Sequence, residues 1–438
     1  MNATPGPFPV CFAHGHDKMK FDKYSLGIGD RFGHQGVPQL RAFQMAAEKG
    51  LQVSPVWNKS NREHKIIGTI PADTRREADG AVGELGWRGA YFVDADHIGA
   101  ATVDPFIDSS DFFTIDVAEF IGTPSSPDAV RSFLGAMAPF TGAIRIPGLE
   151  EPLSVDETLL RAVAGKYLNA VAEAGRVYRR ILSARRGREF VTEVSLDESD
   201  LPQSPGELFF ILGAIGAEGI PVRTIAPKFT GSFLKGVDYV GDVGRFAREF
   251  EQDLAVVAFA AGSFHLPDDL KLSVHTGSDK FSLYPLMHRA IRRFDAGLHL
   301  KTAGTTWLEE VIGLAEAGDD GLRAAKEIYA LSFGRFDELC GPYMQVINID
   351  RSKLPFPAEV ASWPGDVFAG VLRHDPLHRG FNPNFRQLVH VGYKVAAEMG
   401  PRFTGLLRRY AGPVGRNVTD NIYRRHIVPL FLGADNPD

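Results

Sequence analysis

Short apolar runs that break off at charged, hydroxyl or glycine residues recur along this chain, with helical patterns between them. Strand-like runs lie at 24–29 (YSLGIG), 52–57 (QVSPVW), 91–93 (YFV), 112–115 (FFTI), 189–193 (EFVTE), 221–225 (PVRTI), 270–274 (LKLSV) and 297–300 (GLHL). Helical spacing fills the gaps at about 38–49, 72–85, 127–137, 155–182, 205–217, 237–261 and 283–295. In the long 155–182 pattern, Leu159, Leu160, Val163, Tyr167, Val171, Ala174, Tyr178 and Ile181 line one face, and Ser154 with Glu157 suggests a capping box. Eight strands alternating with helices predict an α/β fold, a (β/α)8 TIM-like barrel. Two more helices, 305–316 and 321–331, and a proline-rich crossing at 354–364 follow. We expect one elaborated barrel domain over 1–438, with a core of about 22–318 and a C-terminal helical elaboration of about 319–438 over one barrel end.

Polar residues cluster where these strands stop. The third run leads into Asp94-Ala95-Asp96-His97, the fourth ends at Asp116, and the fifth ends on Glu193. The seventh ends at His275, followed by Thr276, Gly277, Ser278, Asp279 and Lys280; the eighth carries His299 and leads to Lys301, Thr302, Ala303 and Gly304. In a parallel barrel these ends form the reactive face. Imidazoles from three strands (His97, His275 and His299) can converge on a divalent ion and leave positions open. Each alone is more simply a hydrogen-bonded structural histidine. Strand alternation points Asp94 and Asp96 the same way, so His97 faces away from Asp96 unless the chain turns there.

Other polar residues have a plain alternative. Glu193 serves equally as a barrel-interior ion-pair partner. Lys228, Lys280 and Lys301 could hold a substrate carboxylate or be surface charge. Asp30, Arg31 and His34 could bind polar substrate groups or brace the glycine-rich turn, and Asp279 joins the candidate substrate contacts. The glycines Gly29, Gly33 and Gly36 miss the dinucleotide-loop spacing.

Composition narrows the classes. Of 438 residues 44% are hydrophobic, enough for a large core, and the formal charge of -6 argues against nucleic acid as a partner. The two cysteines, Cys11 and Cys340, exclude a disulfide framework and a cysteine metal cluster. Pro5, Pro7 and Pro9 make a poor secretory signal, and apolar runs such as 254–261 fall short of the ~18 residues of a spanning helix. We expect a cytoplasmic protein with no membrane partner; homo-oligomerisation is left open.

SLGIGDRFGHQG, YFVDADHIG, SVHTGSDKFSLYP and LHLKTAGTTWLEE, in this order, resemble the bacterial tagaturonate/fructuronate epimerase family, the hexuronate 3-epimerases of sugar-acid catabolism. The resemblance implies an isomerase that takes a small ketohexuronate, interconverting D-tagaturonate and D-fructuronate by deprotonation and reprotonation at carbon 3 through an enediolate. It implies a divalent metal cation on His97, His275 and His299, with Asp96 as proton acceptor and Glu193 as donor; histidine-rich ligation suits Zn, Ni, Co or Mn. From their positions in the chain we expect Asp30, Arg31, Lys228, Asp279 and Lys301 as substrate contacts. Three alternatives stand beside it: a class II-type metal aldolase of a keto sugar acid, an epimerase of neutral ketohexoses, and a non-catalytic sugar-acid binding protein.

Overall fold

In the computed structural model, residues 19–302 and 304–433 are described; Pro5, Pro7, Pro9, Cys11 and Ala303 lie outside them. Eight parallel strands close into a barrel in chain order: β1 Tyr24–Ile28, β2 Val53–Ser60, β3 Phe92–Ile98, β4 Phe112–Asp116, β5 Val191–Ser195, β6 Thr224–Ala226, β7 Lys271–His275 and β8 Leu298–Lys301. β8 returns to β1 with His299 opposite Ser25 and Lys301 opposite Gly27. All eight runs read from the sequence are strands of this barrel. Most bounds differ by one or two residues, but β2 runs three residues beyond Trp57, β3 five beyond Val93 and β5 two beyond Glu193, and β6 starts three residues after Pro221.

Alternation along the strands separates two cores. Tyr24, Leu26, Val93, Ala95, Phe113, Ile115, Leu272, Val274, Leu298 and Leu300 point outward and pack under the helices. Inside the barrel, Val56, Phe92, Phe112 and Val191, capped by Phe21, form a separate apolar floor. Above this floor Asn58, Asp94, Thr114, Glu193, His275 and Lys301 give the barrel interior a polar lining.

Two irregularities escaped the sequence pattern. A small antiparallel hairpin, Gly142–Ile144 with Leu153–Val155, lies between β4 and β5. Ser154 sits in that hairpin, so the expected capping box does not form. Asp156 caps the long helix Glu157–Arg185 instead, accepting from the Leu159 amide at 2.8 Å. Asn61–Ile67 is a short helix directly after β2, with Ser60 and Glu63 forming a capping box.

The C-terminal region does more than cover one barrel end. Helix Ala411–Asp420 packs along helix Thr305–Ala317, and the segment Asn421–Leu432 packs against helices Gly36–Glu48 and Tyr284–Arg293, sealing the side where β8 meets β1. Gly313 permits this approach, since a Cβ there would lie 2.5 Å from the Val414 Cα. Among the described residues no helix is long and apolar enough to cross a membrane.

Candidate active site at the barrel mouth

Lys301 organises the barrel interior above the apolar floor. Gly27, its neighbour on β1, lets the lysine stem pass: a Cβ there would meet the Lys301 Cγ at 3.0 Å. The Lys301 ammonium lies 2.7 Å from the Thr114 hydroxyl, 2.7 Å from Asp94 Oδ2, 2.7 Å from Asp96 Oδ1 and 3.8 Å from Glu193 Oε1. Burial alone would discharge it; Asp94, Asp96 and Glu193 hold it firmly protonated. Burial pushes Asp94 up to about 6, against the pull of Lys301. For Asp96 the same burial is outweighed by Lys301 and His97, and its carboxyl is held well below the usual range. Lys301 therefore neutralises the protein's own carboxylates and is enclosed by them. This corrects its expected role as a substrate contact.

His97 stands beside Asp96 because the strand is irregular there. The pairing of β3 with β4 shifts register between Ala95 and Ile98, and His97 has a φ of 51°. The left-handed residue turns the imidazole to the same side as the preceding aspartate, which strict alternation forbids. His97 Nδ1 meets Asp96 Oδ1 at 2.7 Å, and Nε2 lies 3.5 Å from Asp197 Oδ1. His275, at the end of β7, places Nε2 2.7 Å from Glu193 Oε1 and Nδ1 3.1 Å from Asp197 Oδ2. Burial would lower both imidazoles. Asp96 and Asp197 outweigh it at His97, which is raised well above its ordinary value; Asp197 and Glu193 raise His275 to about 9.

His97, Asp197 and His275 offer ligand atoms that all lie within 4.8 Å of one another, and His97, Asp116 and Glu198 form a second such group. The donor set of the first, two imidazole nitrogens and a carboxylate oxygen, suits a divalent transition ion. The charge inventory agrees, since Asp94, Asp96 and Glu193 share Lys301, while Asp197 faces the imidazoles of His97 and His275. Without an ion, protons on His97 and His275 supply the missing positive charge. Asp197 and Glu198 escaped the sequence reading because the strand was ended at Glu193. In Val191-Thr192-Glu193-Val194-Ser195 the alternation continues, and it carries the strand end to the doorstep of Asp197.

His299 is on the same strand as Lys301 but one inward position nearer the floor. Its Nδ1 contacts the Ser25 hydroxyl at 2.9 Å, its ring lies 5.2 Å from that of Phe112, and its buried Nε2 has no partner. Burial pulls it down to about 3, so it is neutral. It does not join the His97–Asp197–His275 group. Glu193 is fully enclosed behind His275, with Oε2 unpartnered; burial would raise it, but His275 and Lys301 keep it ionised.

Two further expected substrate contacts are corrected. Asp30 accepts from the amides of Phe32, Gly33 and His34 at 2.8, 2.9 and 2.6 Å, and from Gln35, so it braces the turn leading into helix Gly36–Glu48. Asp279 is wholly buried between barrel and C-terminal region. Its oxygens lie 2.7 Å from Thr305 Oγ1, 2.7 Å from Arg386 Nη2, 3.1 Å from His374 Nδ1 and 3.4 Å from His426 Nε2. Neither carboxylate has room or valence for a sugar. Lys228 follows β6, half-buried, its amide donating to Gln203 Oε1 at 2.8 Å. Arg31 reaches the mouth, its Nε donating to Glu63 Oε1 at 3.0 Å and its guanidinium 4.4 Å above the Tyr393 ring.

A closed parallel barrel with acids, bases and candidate metal ligands gathered at the carboxyl ends of its strands is an enzyme's architecture. The chain belongs to the tagaturonate epimerase family, which it matches over residues 12–400. A tagaturonate/fructuronate epimerase of Thermotoga maritima is 29% identical over 389 residues, covering 84% of this chain and 72% of the relative. The fold is similar to that of the fructuronate-tagaturonate epimerase from Cohnella laeviribosi. Its native crystal structure has a TM-score of 0.76 at 23% identity, over 93% of this chain and 81% of that one. A complex of the same enzyme with two glycerols has a TM-score of 0.77 at 22% identity, over 94% and 83%.

Proposed function

We propose that this chain is a divalent-metal-dependent epimerase that interconverts D-tagaturonate and D-fructuronate. The observation that carries the reading is the convergence of Asp96, His97, Asp197 and His275 at the mouth of a barrel of the tagaturonate epimerase family. His97, Asp197 and His275 would hold the ion (Zn, Ni, Co or Mn), which when bound draws electron density from a ketone oxygen and its neighbouring hydroxyl and so favours an enediolate.

The bonding of the substrate refines the route. The two uronates differ at carbon 3, counted from the carboxylate, while the ketone is carbon 5. A ketone acidifies the hydrogen on its adjacent carbon, here carbon 4, so direct removal of the carbon-3 hydrogen gains nothing from it. Breaking the bond between carbons 3 and 4 does produce an enediolate over carbons 4 and 5. Asp96 takes the proton of the carbon-3 hydroxyl, the carbon–oxygen bond becomes an aldehyde carbonyl, and the bonding pair passes to carbon 4. Half a turn of the aldehyde about its bond to carbon 2, re-addition and return of the proton invert carbon 3. The bond-breaking step of the aldolase alternative thus becomes the first half of the epimerisation. Glu193, expected as the donor, orients His275 from behind.

The test is conversion of D-fructuronate by purified protein, with and without a strong chelator, and with D-fructose as the neutral comparison. Chelator-sensitive formation of D-tagaturonate is expected. No conversion by metal-loaded protein would contradict the reading, and a triose accumulating without epimer would favour the aldolase.

A further inference from the structure

Beside the acidic centre the mouth carries an excess of positive charge that the chemistry at carbon 3 does not use. Lys235, in the loop after β6, points its half-buried ammonium to within 5.8 Å of the Tyr343 ring centroid. Among the described residues no carboxylate lies within ion-pair distance of it. Arg62, on the short helix after β2, lies 5.0 Å from the same ring and likewise has no ion pair. Arg31 is bound on one edge by Glu63, but its buried Nη1 has no partner. Burial, then Arg31 and Arg62, pull Lys235 down to about 8, with Glu63 and Asp96 opposing. Glu63 neighbours Arg31 and Lys235, Asp96 is close enough to act on Lys235 through space, and Arg62 acts on Glu198.

The backbone under Lys235 is held firmly. Its own amide donates to the Val346 carbonyl at 2.7 Å, and its carbonyl accepts from Gln387 Nε2 at 2.9 Å. On either side, the Leu234 carbonyl accepts from Lys280 Nζ at 3.0 Å and the Gly236 carbonyl from Arg386 Nε at 2.7 Å. Arg386 is itself fixed by Asp279. A flexible surface lysine needs no such support; a recognition residue does.

We propose that Lys235, with Arg31 and Arg62 beside it, receives the carboxylate of the ketohexuronate and sets the preference for uronates over neutral ketoses. The substrate in this proposal rests on the epimerase reading. A carboxylate among these groups completes the Arg31 valence and balances the charge, while a hydroxymethyl group leaves both unmet. Lys301, one of the lysines expected to do this from the sequence, is enclosed by carboxylates.

The test is calorimetric binding of D-fructuronate and of D-fructose, with chelator present so that turnover does not intervene. Wild type, Lys235→Met and Lys235→Arg are compared, with melting temperatures as a check on folding. Wild type is expected to favour the uronate, Lys235→Met to cut that preference by about 10- to 100-fold, and Lys235→Arg to restore most of it. Equal loss of affinity for both sugars, an unchanged preference in Lys235→Met, or no preference in wild type would overturn the proposal. A preference lost in Lys235→Met, in a protein that does not epimerise when metal-loaded, would uphold the carboxylate site and refute the epimerase reading.

Discussion

Two buried charge clusters sit within this fold, one around Lys301 inside the barrel and one around Asp279 behind the mouth. In both, burial opposes the charge and neighbours override it. They differ in what is left over. Around Asp279 every oxygen is answered by a protein donor, and Arg386 spends its remaining donors on the Gly236 and Leu372 carbonyls. Around Lys301 polar valence is left over: Glu193 Oε2 and His299 Nε2 have no partner, and Asp96, His97 and Asp197 are partly open to solvent. A satisfied cluster stiffens the loops it joins. A cluster with surplus valence is prepared for something the protein does not itself supply.

Substitutions that exchange the two behaviours test this contrast. The largest expected effect is Asp96→Asn, which removes the base and should lower kcat/KM about a thousandfold with little change in melting temperature; near-normal turnover would return the Lys301 cluster to a structural role. Asp279→Asn should do the reverse, leaving Arg386 buried beside a neutral group and costing about 3–5 kcal/mol in urea unfolding. A loss confined to activity would break the comparison.

The third effect is a pH dependence. The folded-state value of His275, about 9, stands above the ordinary 6.5, so its contribution is complete below pH 6.5 and is lost as pH rises through about 9. Metal-free protein should therefore lose roughly 3 kcal/mol across that window. Metal-loaded protein should not, because the ion replaces the protons; identical profiles would argue against a metal on His275. The smallest effect concerns His299. Ser25→Ala removes its Nδ1 partner and should cost about 1 kcal/mol without changing metal affinity. A 10- to 100-fold loss of metal affinity, the usual result of removing such an orienting partner, would restore His299 as a ligand.

The barrel was legible because its signal is local: each strand is a short apolar run with its own stop, and the polar ends mark one face. The site was legible only in part. Asp96, His97 and His275 announce themselves at strand ends, but a one-residue irregularity at His97 decides where its imidazole points, and the letters DADH do not encode it. Asp197 was within reach had the alternation of β5 been followed four residues beyond Glu193. The partners of Asp279 were not, because Arg386, His374 and His426 arrive from a helical region about a hundred residues or more away. Lys235 carries no local mark; its importance comes from the company it keeps in space.

The most direct test of the central claim, that the surplus valence around Lys301 serves sugar epimerisation, is NMR of D-fructuronate with metal-loaded protein in heavy water. The account expects D-tagaturonate to form, to stop forming when metal is chelated, and to keep its original hydrogen on carbon 3. Deuterium at carbon 3 would contradict the bond-breaking route. No D-tagaturonate at all would contradict the epimerase.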